Sequence, residues 1–266
     1  MSHIVHLGDC LDPVSGLASL ADKSVDLVVT DPPYAVSNIG MWHIGRPGKG
    51  KRRFDFFEGD ADHAEMVASV LRVAEETLRV MRDSASAYWY CGHREFGPLV
   101  SLFERRGFRT RFGVWRKTAP SPPPPGSGWP SAAELWVYAF RAGRTWTHSG
   151  NNPPPSNVFS CDGHRHGNPD KVAHPTQKPL AVIDPLLVAS SNPGDTVCDP
   201  FAGSGTTGVA CKRLGRNFIG WERDPKFYAI AVKRIEGARE QFRLPIPKEP
   251  KAKQTALSLG RSGGTD

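Results

Sequence analysis

Asp31-Pro32-Pro33-Tyr34 places a carboxylate, two prolines and an aromatic ring in four consecutive positions. The set suits an amine attached to a nucleobase, a poor nucleophile because its lone pair is delocalised into the ring. The Asp31 carboxylate and the Pro32 carbonyl, held in a fixed direction by the locked backbone, can each accept one amine hydrogen. Both contacts favour a pyramidal nitrogen and draw off positive charge as a methyl group arrives. Pro33 extends the rigid path, and Tyr34 offers a face on which a base turned out of a duplex could stack, worth roughly 1–3 kcal/mol. A sulfonium methyl donor carries its own leaving group, so this chemistry requires no metal, and alignment of the reactants supplies much of the rate. No cysteine adjoins the tetrapeptide, which argues against methylation of a ring carbon. The competing reading is an ordinary Asp-Pro turn.

A second constellation lies near the other end of the chain. Val197-Cys198-Asp199-Pro200-Phe201-Ala202-Gly203-Ser204-Gly205-Thr206-Thr207-Gly208 puts glycines between a strand-like and a helix-like segment, where they allow a sharp turn and close approach to a ligand. The spacing contains G-x-G-x-x-G, by itself a weak sign of a dinucleotide site. Here the strand ends in Asp199-Pro200 instead of running apolar into the first glycine. Glu222 follows about 20 residues on, at the end of the next strand, where a carboxylate can accept both ribose hydroxyls of an adenosine. The unit therefore suits an adenosine-containing ligand, with or without phosphates. A tight turn with no ligand is the alternative.

The elements that must carry these residues alternate. Strands are expected at Ile4–Leu7, Val25–Thr30, Ala85–Cys91, Phe108–Trp115, Glu134–Phe140, Asp195–Asp199 and Asn217–Trp221. A helical turn or two, with Leu11, Leu17 and Leu20, follows the first strand. Longer helices are expected over Asp62–Met81, Phe96–Arg106, Pro179–Ser191, Thr206–Leu214 and Pro225–Phe242. Val25–Thr30 is too apolar and β-branched for a surface helix and reads as a buried parallel strand. The alternation predicts an α/β fold with a mostly parallel sheet. Pro122–Pro125 reads as a polyproline-like loop, and residues 142–173 as a long irregular loop of the kind that is often functional.

Of the 266 residues, 39% are hydrophobic, enough for one large core. No apolar run approaches the roughly 20 residues that span a bilayer, and no signal-peptide pattern opens the chain. The five cysteines show no paired spacing and suit buried free thiols in a reducing, cytoplasmic setting. Cys161, His164, His166 and His174 could together hold zinc, but their spacing fits no familiar finger, and a polar loop is the better reading. The net charge of +7 fits a polyanionic partner. Arg46, Lys49, Lys51, Arg52 and Arg53 form a one-signed run in a glycine-rich stretch, as a phosphate-contacting loop requires. Residues 243–266, basic and without hydrophobic pattern, read as a disordered tail.

Together these features resemble the β class of amino-methylating DNA methyltransferases, in which the target-amine motif precedes the cofactor glycine motif. Asp31-Pro32-Pro33-Tyr34 comes first here, His174-Pro175-Thr176-Gln177-Lys178-Pro179 follows, and Asp199–Thr206 comes last. Gly8-Asp9-Cys10 is similar to that family's acidic turn near the cofactor adenine, and Trp115-Arg116-Lys117 to its Trp-x-Lys strand end facing the target pocket. The likeness covers about residues 3–240. It implies a Rossmann-like sheet of seven strands, the last antiparallel, in one methyltransferase domain over residues 1–242, with DNA-contact segments near 35–62 and 118–173. It implies S-adenosylmethionine as cofactor, bound through Asp9, Thr176, Lys178, Asp199, Phe201, Gly203, Ser204, Gly205, Thr206 and Glu222. Phe201 would pack near it, while Thr176 and Lys178 would place its methionine part. Double-stranded DNA is the implied partner, with Lys117 and the basic run touching it, and a homodimer and a partner restriction endonuclease belong to the same picture. Asp at the head of the tetrapeptide leans toward N6 of adenine, with N4 of cytosine as the near alternative. Methylation of RNA or of a protein glutamine fits less well, since such enzymes usually carry Asn first and the glycine motif earlier. A DNA-binding protein without catalysis is the non-enzymatic reading.

Overall fold

The computed structural model describes residues 1–33, 63–119, 129–130, 132–144, 146, 156–163 and 170–239. Tyr34, the basic run from Arg46 to Arg53, the Pro122–Pro125 run, His164, His166 and the basic tail lie outside the described residues.

Among the described residues, eight strands and five helices follow one another along the chain. They are β1 (His3–Leu7), β2 (Val25–Thr30), α1 (His63–Val80), β3 (Met81–Cys91), α2 (His93–Arg105), β4 (Arg109–Lys117), β5 (Ala133–Phe140), β6 (Val158–Cys161), α3 (Leu180–Ser190), β7 (Thr196–Asp199), α4 (Thr206–Leu214), β8 (Asn217–Glu222) and α5 (Pro225–Gly237). The strands form one sheet in the order β1-β8-β7-β2-β3-β5-β4-β6. Neighbours are parallel except at β5, which runs against both β3 and β4. The expected α/β class is what the chain adopts. Five of the six β2 residues are buried, as a central strand covered on both faces requires.

Side chains alternate between two cores. Val28, Ala87, Trp89, Val137 and Cys198 face the layer that includes α1 and α2. Leu27, Val29, Tyr88, Tyr90, Trp136 and Val197 face the layer that includes α3 and α4. Trp89, Phe103, Leu27 and Leu187 are fully buried, each contributing about 1.5–3 kcal/mol or more from apolar burial. The result is a sheet between two helical layers, rigid enough to hold loop residues at its rim.

Several expectations need correction. The sheet has eight strands, not seven, and the antiparallel strand is fifth in chain order and internal, not the last. The additional strand, β6, lies inside the stretch read as irregular. It pairs with β4, and the Trp115 indole donates to the Cys161 carbonyl at 3.1 Å. At four residues it is too short to show periodicity. After β1 only a single 3-10 turn forms, Leu17–Ser19. The strand β3 begins at Met81 because it continues directly from α1, and α5 stops at Gly237.

Candidate active site

Because every strand but β5 runs the same way, the C-terminal ends of β1, β8, β7, β2, β3, β4 and β6 share one edge. The N-terminal end of β5 joins them. Asp9, Glu222, Asp199, Asp31, Lys117 and Glu134 therefore gather along that edge from six separate segments. Open α/β sheets bind ligands at such an edge.

On one side stands the glycine turn. Gly203 and Gly205 hold φ of +53° and +76°, conformations that favour glycine, and a Cβ on Gly205 would lie 2.9 Å from Ala231 of α5. The Glu222 carboxylate accepts from the Gly203 N–H at 3.0 Å and from the Asp224 N–H at 2.8 Å. Burial pushes its proton affinity up. The Gly8 N–H donates to the Glu222 carbonyl at 3.0 Å, which sets exposed Asp9 beside it. Asp199 is buried and its carboxylate is already engaged, by the Thr30 hydroxyl at 2.6 Å and the Phe201 N–H at 3.1 Å. Burial raises it to about 6 against these hydrogen bonds. It builds the turn from within. Ser204 and Thr206 are likewise buried. Arg234 of α5 donates to the Ser204 carbonyl at 2.5 Å and to the two hydroxyls at 3.1 and 3.2 Å. Phe201 is half-buried against the α1–α2 core.

On the other side stands Asp31, one residue beyond β2. Its Oδ2 accepts from the Lys178 ammonium at 2.5 Å. Its Oδ1 is buried and has no hydrogen-bond partner among the described residues. Lys178 also reaches Glu134 Oε2 at 2.8 Å, and Glu134 Oε1 meets the Lys117 ammonium at 2.7 Å. The four charges form an alternating line, Asp31-Lys178-Glu134-Lys117. Lys178 lies 5.0 Å from the Tyr90 ring centroid and 5.9 Å from that of Trp115, close enough for cation–π attraction. Burial raises the proton affinity of Asp31, with Lys178 opposing. Burial acts on Glu134 in the same sense, but the two ammoniums outweigh it and hold Glu134 down at about 2. The two carboxylates are thus driven apart, one toward proton acceptance and one toward permanent charge.

The two sides are joined twice. Thr30, adjacent to Asp31, bonds Asp199. The Lys178 carbonyl accepts from the Thr206 hydroxyl at 3.1 Å, while its ammonium faces Asp31. Gln177 braces this tract by accepting from the Val172 N–H at 2.9 Å and donating to the Asp170 carbonyl at 2.7 Å. Thr176 is exposed, and His174 packs edge-on against Phe227 with ring centroids 4.4 Å apart. Burial lowers His174 to about 4, keeping the ring neutral. Cys91 is close enough to feel the Asp31 charge, yet burial pushes its thiol up to about 12, far from a nucleophilic thiolate.

Three sets of residues assigned from the resemblance also have partners within the protein. Lys178, expected on the cofactor's methionine part, directs its ammonium at Asp31 and Glu134. Lys117, expected on DNA, is tied to Glu134. The Ser204 and Thr206 hydroxyls both accept from Arg234 within the protein. Glu134 and Arg234 escape a sequence reading. Glu134 reads as the polar start of an apolar strand, and only the reversed direction of β5 brings it to the active edge.

A family model described as DNA methylase, of the N6/N4 type, matches residues 25–233. The chain belongs to the N6/N4 DNA methylase family. The Type II methyltransferase M2.DpnII of Streptococcus pneumoniae is 30% identical over 243 residues, 86% of this methylase and 89% of that relative. The Type II methyltransferase M.HinfI of Haemophilus influenzae is 28% identical over 242 residues, 86% of this chain and 67% of the relative. Among solved structures, the M1.HpyAVI–SAM complex aligns with a TM-score of 0.64 at 25% identity, covering 87% of this methylase and 98% of that chain. The cytosine-N4-specific PvuII DNA methyltransferase shares the fold, with a TM-score of 0.68 at 19% identity over 88% of this chain and 86% of its own. No helix among the described residues is long and apolar enough to cross a membrane.

Proposed function

We propose that the methylase transfers a methyl group from S-adenosylmethionine to N6 of adenine in double-stranded DNA, with the target base turned out of the helix. The observation that carries this reading is the buried Oδ1 of Asp31, without a hydrogen-bond partner among the described residues, next to a glycine turn backed by Glu222. The turn fits the cofactor. Gly203 and Gly205 keep Cβ atoms out of its backbone, and Asp9 and Glu222 bring carboxylates to the ends of adjacent strands, where ribose hydroxyls and an adenine would meet them. When bound, the cofactor supplies an electrophilic methyl group and its own leaving group.

The residues of the chain do the rest. The target amine donates one hydrogen to Asp31 Oδ1 and the other to the Pro32 carbonyl, which turns its lone pair toward the incoming carbon. Positive charge growing on the nitrogen as it takes up the methyl group would lie beside a desolvated carboxylate, where it is stabilised more than in water. The nitrogen then sheds one proton, and Asp31, its proton affinity raised by burial, is placed to take it. Tyr34 would stack on the base.

Adenine is favoured because Asp heads the tetrapeptide. Duplex DNA incubated with the methylase and labelled cofactor, then digested to nucleosides, should yield N6-methyladenine; N4-methylcytosine in its place would move the assignment to the near alternative. The basic run from Arg46 to Arg53 would contact phosphates. Its replacement by neutral residues is expected to flatten the dependence of log Kd on log salt by roughly one unit for each phosphate no longer neutralised, and an unchanged slope would place the DNA elsewhere. A homodimer and a partner endonuclease rest on the resemblance alone.

A further inference from the structure

Lys178 faces two carboxylates rather than one, and this bears on how Asp31 keeps an oxygen for its substrate. An ammonium has three donors. Buried beside Asp31 alone, it would satisfy both carboxylate oxygens, and the target amine would then compete with a charge-assisted hydrogen bond. In the structure Lys178 spends one donor on Asp31 Oδ2 at 2.5 Å and another on Glu134 Oε2 at 2.8 Å, and Asp31 Oδ1 stays buried and unclaimed by any described residue. Lys117 fixes Glu134 from the far side at 2.7 Å. We propose that Glu134 is a positioning residue for methyl transfer, drawing the Lys178 ammonium off Asp31 so that Oδ1 is left open to the target amine.

The inference rests on the reading of Asp31 as the amine's acceptor. Electrostatics support it. Glu134 raises the proton affinity of Asp31, whereas Lys178 and Lys117 lower it. Among the described residues, the titratable groups in range of Asp31 are Lys178 before α3, Glu134 on β5, Lys117 on β4, Tyr90 and Cys91 on β3, and Asp199 on β7. Tyr90 and Cys91 are held neutral by burial, which leaves the alternating line, together with Asp199, to set Asp31's charge.

The test measures two things on the full-length protein, the titration of the Asp31 carboxyl by carbon NMR and the single-turnover rate of methyl transfer to DNA. In Glu134→Gln the Asp31 midpoint should move to lower pH, because Lys178 then falls wholly to Asp31. The rate at pH 8 should drop about tenfold or more, short of the order of 10²–10³ that losing a direct transition-state contact costs, with cofactor affinity by calorimetry unchanged. Lys117→Gln should move the Asp31 midpoint the opposite way, since Glu134 would then pull harder on Lys178; this variant decides the matter should Glu134→Gln not fold. Unshifted midpoints, shifts of the same sign in both variants, or an unaltered rate in Glu134→Gln with an active wild type would overturn the proposal. If the wild-type protein transferred no methyl to any DNA amine, the functional reading would fail, while the midpoints would still decide whether Glu134 governs Asp31.

Discussion

Asp31→Ala is expected to abolish detectable methyl transfer while leaving cofactor affinity close to that of the wild type. The two effects separate because Asp31 takes no part in the glycine turn, which is held by Asp199, Glu222 and Arg234. Truncation removes the carboxylate positioned to hold the amine and leaves the Lys178 ammonium, 6% exposed, with its positive charge facing the nitrogen that must itself become positive. Removing one aligned electrostatic partner costs on the order of 10²–10³ in rate, and the reversed local charge adds to this. Single-turnover transfer of labelled methyl to DNA gives the rate, and calorimetry gives the affinity. Near-wild-type turnover would remove Asp31 from the chemistry.

The second large effect belongs to Glu222. Glu222→Ala should weaken cofactor binding by about 1–3 kcal/mol, the usual cost of losing hydrogen bonds to a charged group, or roughly 5- to 150-fold in Kd. Part of that loss would come from the turn itself, because the carboxylate also accepts from Gly203 and Asp224. Glu222→Gln separates the contributions in part, since Gly203 and Asp224 donate to different oxygens and the amide can accept from only one of them. It keeps one acceptor oxygen for the turn but loses the negative charge and an acceptor for a ribose hydroxyl, so it should retain the fold and still bind weakly. Since burial raises the proton affinity of Glu222, wild-type cofactor affinity should also decline on acidification as the carboxylate protonates. Calorimetry showing unchanged affinity in both variants would exclude the ribose contact.

How far these residues could be foreseen depended on whether their signal was local. Asp31 and the glycine turn are short, and each follows an apolar strand that announces where the chain must stop and turn. Glu222 was legible because a strand of ordinary length places its last residue at a fixed distance from that turn. Glu134 was not, because its importance depends on β5 running backward between β3 and β4, a matter of long-range pairing. Lys178 is visible as a residue of the tract, but its ion pairs with Asp31 and Glu134 are not. Its backbone does adjoin the cofactor turn through Thr206, but the flexible side chain follows the nearest buried carboxylates. The strand β6 was missed because four residues among Gly, Pro, His and Asn carry too little pattern to outweigh their surroundings.

The sheet order has a consequence for how the chain reaches its native state. His3 pairs with Phe218 and Leu27 with Val197, whereas β3, β4 and β5 pair across far shorter separations. During synthesis the antiparallel β3–β5–β4 group can assemble while β1 still lacks β8 and β2 still lacks β7, and closing such long loops slows folding. Asp31 is translated early but acquires Lys178 and the Thr30–Asp199 link only when the last third of the chain arrives. A nascent chain would therefore carry the reactive tetrapeptide without the partners that tune it, and competence for both ligands would arise together, late, in one cooperative closure.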